Sequence, residues 1–383
     1  MELFEFVAPC HFGLEAVLKR EINDLGYDVS SVSDGHVCFM GDAEAMAVAN
    51  LRLRCAERVL LLVGRFFADN FDSYFEKMKA LPWEKFIPED ARFYVTKATS
   101  KKSRLFSARD LQTLGKKAMV RALQRTYSHD TFPEDGADYP VRVFIYKDEV
   151  MVTLDTTGVP LHKRGYRKKT SAAPIAETLA ASLLFLTPWR PDRILMDPFC
   201  GSGTFLIEAA QIAANIAAGA YRSFNCEKWD NLISAKEFDE LRKEARDEED
   251  RSVRPRLYGY DIDPDMIKIA KENAKRAGVL PMIHFECRPV SEMDCKGEYG
   301  FILTNPPYGE RLSDEKELPE VYKALGEGYR ALDKWSMFLI TSYNDAQKYI
   351  GAKADRNRKL YNGMLQSYFY QYNGPKPAKG EAY

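Results

Sequence analysis

Three short motifs in the second half of the sequence carry residue types that small-molecule chemistry needs. They are Asp-Pro-Phe-Cys-Gly-Ser-Gly-Thr at 197–204, Tyr-Gly-Tyr-Asp-Ile-Asp at 258–263 and Asn-Pro-Pro-Tyr at 305–308. Each lies at the end of an apolar stretch that predicts a buried strand. Found together and in this order, the motifs indicate one enzyme site rather than three unrelated loops.

The motif at 197–204 predicts a loop that binds a small cofactor. Gly201 and Gly203 permit backbone conformations and close approaches that a Cβ would prevent. The loop leads into a predicted helix, Phe205–Ala218, whose first N–H groups favour negative charge. A dinucleotide fingerprint would need a third glycine at position 206, which is leucine, and a P-loop lysine is missing. Phosphate is therefore not the expected ligand.

The motif at 258–263 places carboxylates at the end of the next predicted parallel strand. A carboxylate there can accept hydrogen bonds from both hydroxyls of a ribose, and we assign this role to Asp261. Ile262 is expected to pack on the face of an adenine. Asp263, which precedes Pro264, is interpreted as the N-cap of a helix over Asp265–Ala277.

The Asn-Pro-Pro-Tyr motif indicates the reaction. An amino group on an aromatic base is a poor nucleophile, because its lone pair is delocalised into the ring. The Asn305 side-chain oxygen and the Pro306 carbonyl can hold its two N–H bonds and direct the nitrogen at an electrophilic methyl group. Pro306 and Pro307 restrict the backbone, and Tyr308 offers a face on which an extruded base can stack. Alone, the motif also fits an ordinary loop after a strand.

The pattern around the motifs predicts the elements that position them. After residue 170, helices alternate with short buried strands, which is typical of a doubly wound parallel sheet. The tail predicts an antiparallel hairpin with strands Arg358–Tyr361 and Met364–Tyr370, joined at Asn362-Gly363. Before residue 160, strands and helices mix in an α+β pattern that predicts two small lobes.

Composition restricts the class of protein. The 383 residues allow two or three domains, and 45% hydrophobic with 29% charged residues is a globular mixture. No apolar run is long enough for a membrane span, and the N-terminus lacks the features of a secretory signal. Seven cysteines without a C-x-x-C pair and five scattered histidines predict neither disulfides nor a metal site. We expect a cytoplasmic protein without metal or membrane partners.

Two basic segments predict contacts with a phosphate backbone, although the net charge of the chain is −1. Residues 92–125 contain ten basic residues and one acidic residue, with Phe106 and Tyr94 between them. Both rings could stack on bases, although Tyr94 is expected in the core of its strand instead. Residues 160–174 contain five basic residues and no acidic one. Balance by acidic residues elsewhere, or a solvated linker, is the alternative. Phosphate contacts are expected from Lys101, Lys102, Arg104, Lys116, Lys117, Lys163, Arg164 and Arg167.

The three motifs resemble those of S-adenosylmethionine-dependent amino methyltransferases that act on nucleic-acid bases or glutamine amides. Nearly the whole chain resembles the bacterial THUMP-domain RNA methyltransferases related to the 23S rRNA guanine-N2 methyltransferase. The junction Leu-His-Lys-Arg-Gly-Tyr-Arg at 161–167 and Ala-Pro-Ile-Ala-Glu-Thr-Leu-Ala at 173–180 share in it. The resemblance implies an α/β fold: a class I (Rossmann-like) methyltransferase sheet with an antiparallel terminal hairpin, preceded by α+β ferredoxin-like and THUMP lobes.

The resemblance also implies a domain order. We expect a ferredoxin-like lobe at 1–50, a THUMP RNA-binding domain at 51–158, a basic hinge at 159–174 and the methyltransferase domain at 175–383. Longer relatives carry a second methyltransferase domain, whereas this chain is expected to carry a single methyltransferase domain.

The implied cofactor is S-adenosylmethionine. The expected cofactor-binding residues are Asp197, Phe199, Cys200, Gly201, Ser202, Gly203, Thr204, Asp261, Ile262 and Asn305, and the expected catalytic residues are Asn305, Pro306, Pro307 and Tyr308. Cys200 is interpreted as a residue that lines the pocket, because amino methylation needs no covalent intermediate. Family members often have an acidic contact to adenine where this chain has Pro289, so a backbone contact or a shifted alignment is expected there.

The expected function is guanine-N2 methylation of structured RNA, with 23S rRNA as the expected substrate and no obligate protein partner. Methylation of tRNA guanine-N2 or DNA adenine-N6 fits the same motifs. The absence of a helix-turn-helix pattern disfavours duplex DNA, and a protein-glutamine methyltransferase would not need the basic segment. A non-catalytic RNA-binding assembly factor is disfavoured by the intact glycines, Asp261 and Asn305.

Overall fold

The computed structural model describes residues 2–167, 175–309, 316–363 and 365–377. They form two compact units, each built around a seven-stranded sheet. The first unit contains residues 1–10, 19–161 and 222–244, and the second contains 11–18, 162–221 and 245–383.

The strands are β1 (Phe4–Pro9), β2 (Asp28–Ser33), β3 (His36–Gly41), β4 (Leu60–Phe67), β5 (Arg92–Lys101), β6 (Asp138–Tyr146), β7 (Glu149–Asp155), β8 (Leu195–Asp197), β9 (Leu257–Asp261), β10 (Ile283–Cys287), β11 (Phe301–Thr304), β12 (Ser336–Thr341), β13 (Arg356–Asn362) and β14 (Leu365–Tyr372). The helices are α1 (Glu15–Asp24), α2 (Ala43–Arg52), α3 (Phe71–Lys79), α4 (Ala108–Tyr127), α5 (Glu177–Leu186), α6 (Thr204–Ala213), α7 (Ala235–Asp247), α8 (Pro264–Arg276), α9 (Leu318–Ala331) and α10 (Ala346–Ile350). Short 3-10 helices lie at Trp83–Lys85, Asn225–Lys228, Leu280–Met282 and Val290–Glu292.

The first unit has the sheet order β2-β3-β1-β4-β7-β6-β5. Both predicted N-terminal lobes contribute to this sheet, because β4 pairs with β1 on one side and with β7 on the other. Strand β2 was not predicted from the sequence. It is almost entirely exposed and lacks an apolar face, so it depends on pairing with β3.

A segment from the second half of the chain completes the first unit. Trp229 is fully buried there, and its ring stacks on Tyr139 of β6 with centroids 4.6 Å apart. The Trp229 indole N–H donates to the Asp138 carbonyl (2.9 Å). Residues 222–244 are therefore a packed part of the first unit rather than a loop on its surface.

The second unit has the sheet order β10-β9-β8-β11-β12-β14-β13. The first five strands are parallel, and β14 and β13 form the antiparallel hairpin. The predicted fold class is thus confirmed. The hairpin turn was predicted one residue early: Asn362 still belongs to β13 and pairs with Leu365. Met364, the predicted first residue of the second strand, lies outside the described residues.

This sheet brings the three motifs together. Its core contains buried residues such as Met196, Ile302 and Leu339, which hold β8, β11 and β12 in the middle of the unit. Strands β9, β8 and β11 are neighbours, and they end at Asp261, Asp197 and Thr304. The loops that follow parallel strands share one edge of the sheet, which is where α/β proteins bind ligands. No helix in the described part of the chain has the length and apolarity to cross a membrane.

Candidate active site

The glycine motif forms a tight loop between β8 and α6. Gly201 and Gly203 have positive φ angles of 49° and 83°, which glycine adopts without strain. A Cβ on Gly203 would also lie 3.1 Å from the Phe285 ring. The Gly203 N–H donates to the Cys200 carbonyl (2.7 Å), and the Cys200 N–H donates to the Tyr260 carbonyl (2.8 Å). The loop is therefore held against β9 by backbone hydrogen bonds.

The Asp197 carboxylate connects the first motif to the third. It is buried, and its Oδ1 accepts hydrogen bonds from the Thr304 hydroxyl (2.6 Å) and the Phe199 N–H (3.2 Å). Burial raises the pKa of Asp197 to about 7, against the lowering effect of these two hydrogen bonds. Asp197 therefore links the cofactor loop to the strand that precedes Asn305.

Asp261 lies at the end of β9, beside the glycine loop. Its Oδ2 accepts from the Gly201 N–H (2.9 Å), and its Oδ1 accepts from the Asp263 N–H (3.0 Å). Burial raises the pKa of Asp261, although these N–H groups favour the ionised form. A carboxylate has about four acceptor positions, so it can also accept from two ligand hydroxyls. Asp263 caps α8 as predicted, accepting from the Asp265 N–H (2.8 Å).

The Asn-Pro-Pro-Tyr loop leaves β11 at the same edge of the sheet. Pro306 is buried and Pro307 is exposed, while Asn305 and Tyr308 are half-buried. The side chains that the sequence assigns to hydrogen bonding and stacking are thus accessible from the site, and Pro306 between them is packed into the protein.

A chain of hydrogen bonds supports this loop from behind. The Tyr322 hydroxyl, on α9, donates to the Pro307 carbonyl (3.0 Å) and lies 2.5 Å from the Thr341 hydroxyl oxygen. Thr341 Oγ1 also accepts from the Tyr343 N–H (3.1 Å). Burial raises the pKa of Tyr322, so its hydroxyl stays protonated and remains a donor. Sequence reasoning missed this tyrosine, because its partners come from a different strand and loop.

The motifs enclose a cavity of about 1020 Å³, at the upper end of the roughly 300–1,000 Å³ typical of small-molecule sites. The predicted residues that line it are Asp197, Phe199, Cys200, Gly201, Ser202, Thr204, Asp261, Ile262, Asn305, Pro306, Pro307 and Tyr308. Gly203 is not among the lining residues, and its contribution is the loop conformation. Ile262 is 73% exposed, which is unusual for a large apolar side chain and leaves a free apolar face at the cavity.

Other lining residues were not predicted. Pro289 and Ser291 form part of the wall beside β10, so a hydroxyl lies close to the position where the sequence lacks an acidic residue. Glu320, Lys323 and Glu327 of α9 also line the cavity. Their spacing of three and four residues places them on one helix face, but a charged helix face usually faces solvent and gives no specific signal.

The predicted phosphate role of two residues in the basic hinge is corrected by the structure. Arg164 is buried, and its guanidinium pairs with the fully buried Glu208 at 3.4 Å. A phosphate cannot reach it there. Lys163 is exposed, and the part of the hinge at 168–174 lies outside the described residues.

Arg167 also binds inside its own unit. It donates to the Thr204 hydroxyl (2.7 Å) and the Ile175 carbonyl (2.9 Å), and it pairs with Glu177 at 3.2 Å. Thr204 and Ile175 line the cavity. Arg167 therefore supports the cofactor loop, and the sequence indicated only its charge.

The basic segment at 92–125 divides into exposed and paired residues. Lys101 and Lys102 are exposed, and the Lys102 ammonium lies 5.9 Å from the centre of the Tyr146 ring. Arg104 is mostly exposed but pairs with Asp69 (2.6 Å) and with Asp148 (3.4 Å). The positive charge that the sequence assigns to phosphate contacts is therefore partly neutralised by Asp69 and Asp148.

The same division holds for the two lysines of α4. Lys117 is exposed, whereas Lys116 pairs with Glu134, donates to the Phe93 carbonyl and lies over the Phe93 ring. Lys116 is therefore engaged within the protein. Phe106 is 84% exposed, which leaves it available for stacking.

Two other residue types complete the description of the site. Cys200 is buried, and burial raises the pKa of its thiol well above the usual range, so it stays neutral and suits a lining role better than a nucleophilic one. Within the described residues, no group of three or more histidine, cysteine, aspartate or glutamate side chains is placed to hold a metal ion.

Comparison with known families agrees with this geometry. The sequence matches the RMKL-like methyltransferase domain over residues 164–371, the RlmL ferredoxin-like domain over 5–60 and the THUMP domain over 68–155. The chain belongs to the RMKL-like methyltransferase family. The family resemblance drawn from the motifs is thereby confirmed, while the boundaries at 50, 158 and 174 stay predictions.

Individual RMKL-like relatives match along most of the chain. YpsC of Bacillus subtilis (strain 168), a candidate RNA methyltransferase, is 43% identical, with 97% of this chain and 96% of YpsC covered. The ribosomal RNA large subunit methyltransferase K/L of Syntrophotalea carbinolica is 32% identical over 94% of this chain, which spans only about half (52%) of that relative's length. SMU.472, a candidate methyltransferase whose crystal structure contains S-adenosylhomocysteine, has a TM-score of 0.93 and 38% identity, with 98% and 100% coverage.

Proposed function

We propose that this protein transfers a methyl group to the N2 amino group of a guanine in 23S rRNA. Its family supports the coarser activity, S-adenosylmethionine-dependent methylation of RNA. The observation that carries the finer proposal is the shared cavity, which Asn305 and Tyr308 line together with the glycine loop and Asp261.

The residues that line the cavity fit S-adenosylmethionine. Asp261 retains acceptor capacity for ribose hydroxyls, and the exposed Ile262 offers an apolar face to adenine. The loop from Phe199 to Thr204 would hold the methionine part. S-adenosylmethionine supplies a methyl group on a positively charged sulfur, which leaves as a neutral thioether when a nitrogen takes the methyl.

The third motif would prepare the amino group for this transfer. Asn305 Oδ1 and the Pro306 carbonyl accept one N–H bond each, which orients the nitrogen and stabilises the positive charge that develops on it. Tyr308 stacks on the base that has left its helix. After the N–C bond has formed, the nitrogen is cationic and acidic, so one of its protons passes to water without a strong base.

The choice of 23S rRNA rests on the first unit and on the relatives. THUMP sequence covers 68–155, and Lys101, Lys102 and Lys117 remain exposed in it for phosphate contacts. The K/L relatives are named as methyltransferases of large-subunit ribosomal RNA. A cytoplasmic location is the corresponding prediction.

The test is a transfer assay followed by identification of the product. The protein is incubated with tritiated S-adenosylmethionine and total RNA from a strain that lacks its gene. Mass spectrometry of the nucleosides then identifies the methylated base, and separated 23S rRNA, 16S rRNA and tRNA identify the molecule. We expect N2-methylguanosine in 23S rRNA.

Other outcomes assign the alternatives. N2-methylguanosine confined to tRNA, or N6-methyladenine in duplex DNA offered in parallel, would replace the proposed substrate. Methylation of a glutamine in ribosomal protein would do the same. If calorimetry also detects no binding of S-adenosylmethionine, a non-catalytic RNA-binding role becomes the better explanation.

A further inference from the structure

The terminal hairpin carries a basic edge that neither the motifs nor the basic segments of the sequence indicated. Among the described strands, β13 is the outermost of its sheet and pairs only with β14. Arg356, Arg358 and Lys359 are exposed on it, as is Lys353 just before it. Among residues 353–359 the only acidic side chain is Asp355, which accepts hydrogen bonds from Asn373.

These charges have few partners among the residues that the structure describes. Arg358 donates to the Gly13 carbonyl (2.7 Å). No carboxylate in the described part of the chain pairs with Lys353, Arg356 or Lys359, although ion pairs are frequent elsewhere on the surface. Three exposed cations therefore lie on one short edge without a carboxylate partner among the described residues.

Aromatic rings lie next to the charges. The Lys359 ammonium is 5.7 Å from the centre of the Tyr361 ring, and the Phe12 ring meets Tyr361 edge-on at 6.4 Å. Phe12 is 49% exposed, and Leu365 at the tip of the hairpin is 40% exposed. Cations interleaved with accessible rings are the composition of surfaces that bind single-stranded nucleic acid.

The register places this edge near the proposed catalytic loop. Strand β12 ends at Thr341, which pairs with Tyr368, and Tyr368 pairs with Lys359. The hairpin continues for three more residues to Leu365, an overhang of about 10 Å at the carboxyl edge of the sheet. Strand β13 is three strand spacings, about 14 Å, from β11, whose end leads into Asn305.

We propose that Arg356, Lys359, Tyr361 and Phe12, here called the hairpin surface, bind the RNA strand next to the methylated nucleotide. The basic side chains would contact phosphates, and the two rings would stack on unpaired bases. This inference rests on the proposed function, because it assigns a second RNA contact to an enzyme that extrudes a base. It places that contact on the methyltransferase unit itself, in addition to the THUMP segment.

Basic side chains on an edge strand also prevent pairing with another sheet. Charge reversal separates the two roles. Glutamate at positions 356 and 359 is as charged as the native residues and still protects the edge, but it repels phosphate. If these side chains only prevent pairing with another sheet, the protein should tolerate the replacement by glutamate.

The test compares two double variants of the full chain. In the first, Arg356→Glu is combined with Lys359→Glu. In the control, Lys268→Glu is combined with Lys271→Glu on α8. Both lysines are exposed, and α8 packs against β9 and β10, at the edge of the sheet away from β13. The affinity for a 23S rRNA transcript is measured at several salt concentrations, together with the calorimetric Kd for S-adenosylmethionine and the rate of methylation.

The hairpin variant should bind the transcript about tenfold more weakly, and its log–log salt slope should flatten by about one to two. Its Kd for S-adenosylmethionine should equal that of the wild type, which also reports intact folding. RNA containing 4-thiouridine should crosslink to a peptide that includes Tyr361. Unchanged RNA affinity and slope, or an equal loss in the α8 control, would overturn the inference. If the wild type methylates no RNA at all, the proposed function fails instead, and the two failures remain distinct.

Discussion

The cofactor edge of the second unit and the basic segment of the first unit differ in how side chains acquire their roles. At the cofactor edge, each motif residue satisfies a local requirement: a positive φ at Gly203, a cap at Asp263 and a carboxylate at the end of β9 for Asp261. In the basic segment, charge acts at a distance and can be cancelled by a residue from any element. Arg92 pairs with Asp138, and Lys116 pairs with Glu134. Stereochemical roles can thus be predicted from sequence, whereas the availability of a charge cannot.

The largest effect is expected from removal of the amide that would hold the amino group. Asn305→Ala should reduce kcat by about 10²- to 10³-fold, because one preorganised hydrogen bond to the reacting group is lost. The Kd for S-adenosylmethionine, measured by calorimetry, should stay nearly the same. Asn305→Asp, which keeps an acceptor oxygen, should retain more activity than the alanine variant. Wild-type kcat in Asn305→Ala would remove this residue from the mechanism.

The next effect concerns stability and arises from the buried Asp197. Its pKa is raised from 3.8 to about 7, so the folded state binds a proton more tightly than the unfolded state. The resulting penalty is absent below about pH 4, grows as the pH rises, and is complete above about pH 7. Asp197→Asn keeps an oxygen for Thr304 and Phe199 but carries no charge. Relative to the wild type, this variant should therefore gain a few kcal/mol of unfolding free energy between pH 4 and pH 7.

Urea unfolding of both proteins at a series of pH values measures this difference. Asp261→Asn is the matched control, because that carboxylate is less buried and bonds to different N–H groups. A constant difference between wild type and Asp197→Asn across the pH range would show that Asp197 titrates normally in the folded protein.

A smaller effect is expected from Arg167, and it distinguishes the two regions directly. Arg167→Ala removes the hydrogen bonds to Thr204 and the Ile175 carbonyl, so the cofactor loop loses its support. The KM for S-adenosylmethionine should rise about tenfold, in line with loss of hydrogen bonds from a charged group. The KM for RNA should not change.

Lys163→Ala is the control for Arg167, since Lys163 is an exposed basic residue four positions earlier. It should affect RNA binding and leave the cofactor KM unchanged. The reverse pattern, with Arg167 affecting only RNA, would restore the phosphate-binding interpretation of this residue.

The smallest effect is expected in the THUMP segment. Replacing Lys101, Lys102 and Arg104 together by alanine should raise the KM for RNA several-fold at physiological salt and flatten the salt slope. Lys116→Ala, at a position that pairs with Glu134, should leave the slope as it is. An unchanged KM in the triple variant, or equal effects of the two variants, would show that exposure does not select the RNA-binding residues.

Much of the fold could be predicted because it depends on periodicity and turn chemistry. The alternation of helices with short buried strands after residue 170 and the antiparallel hairpin of β13 and β14 follow from local patterns. Strand β2 could not be predicted, since its polar residues become a strand only through pairing with β3. Its stability is set by a partner rather than by its own sequence.

The candidate site divides in the same way. The glycine loop, Asp261 and the Asn-Pro-Pro-Tyr loop could be located, because their residue types and spacing are specific. Tyr322 and Arg167 could not, because each acts through hydrogen bonds to residues far away in sequence. Only the folded chain shows which tyrosine among 21 lies behind Pro307.

The exchange of segments between the two units has a consequence for dissecting the protein. A fragment beginning at residue 175 would keep Trp229 but lose Tyr139, its stacking partner, and would lose the Gly13 carbonyl that accepts from Arg358. A fragment ending at 158 would keep Tyr139 without the tryptophan that covers it. Cutting at the predicted boundaries therefore uncovers an aromatic ring on each piece, Trp229 on one and Tyr139 on the other, and truncated versions should aggregate where the intact polypeptide does not.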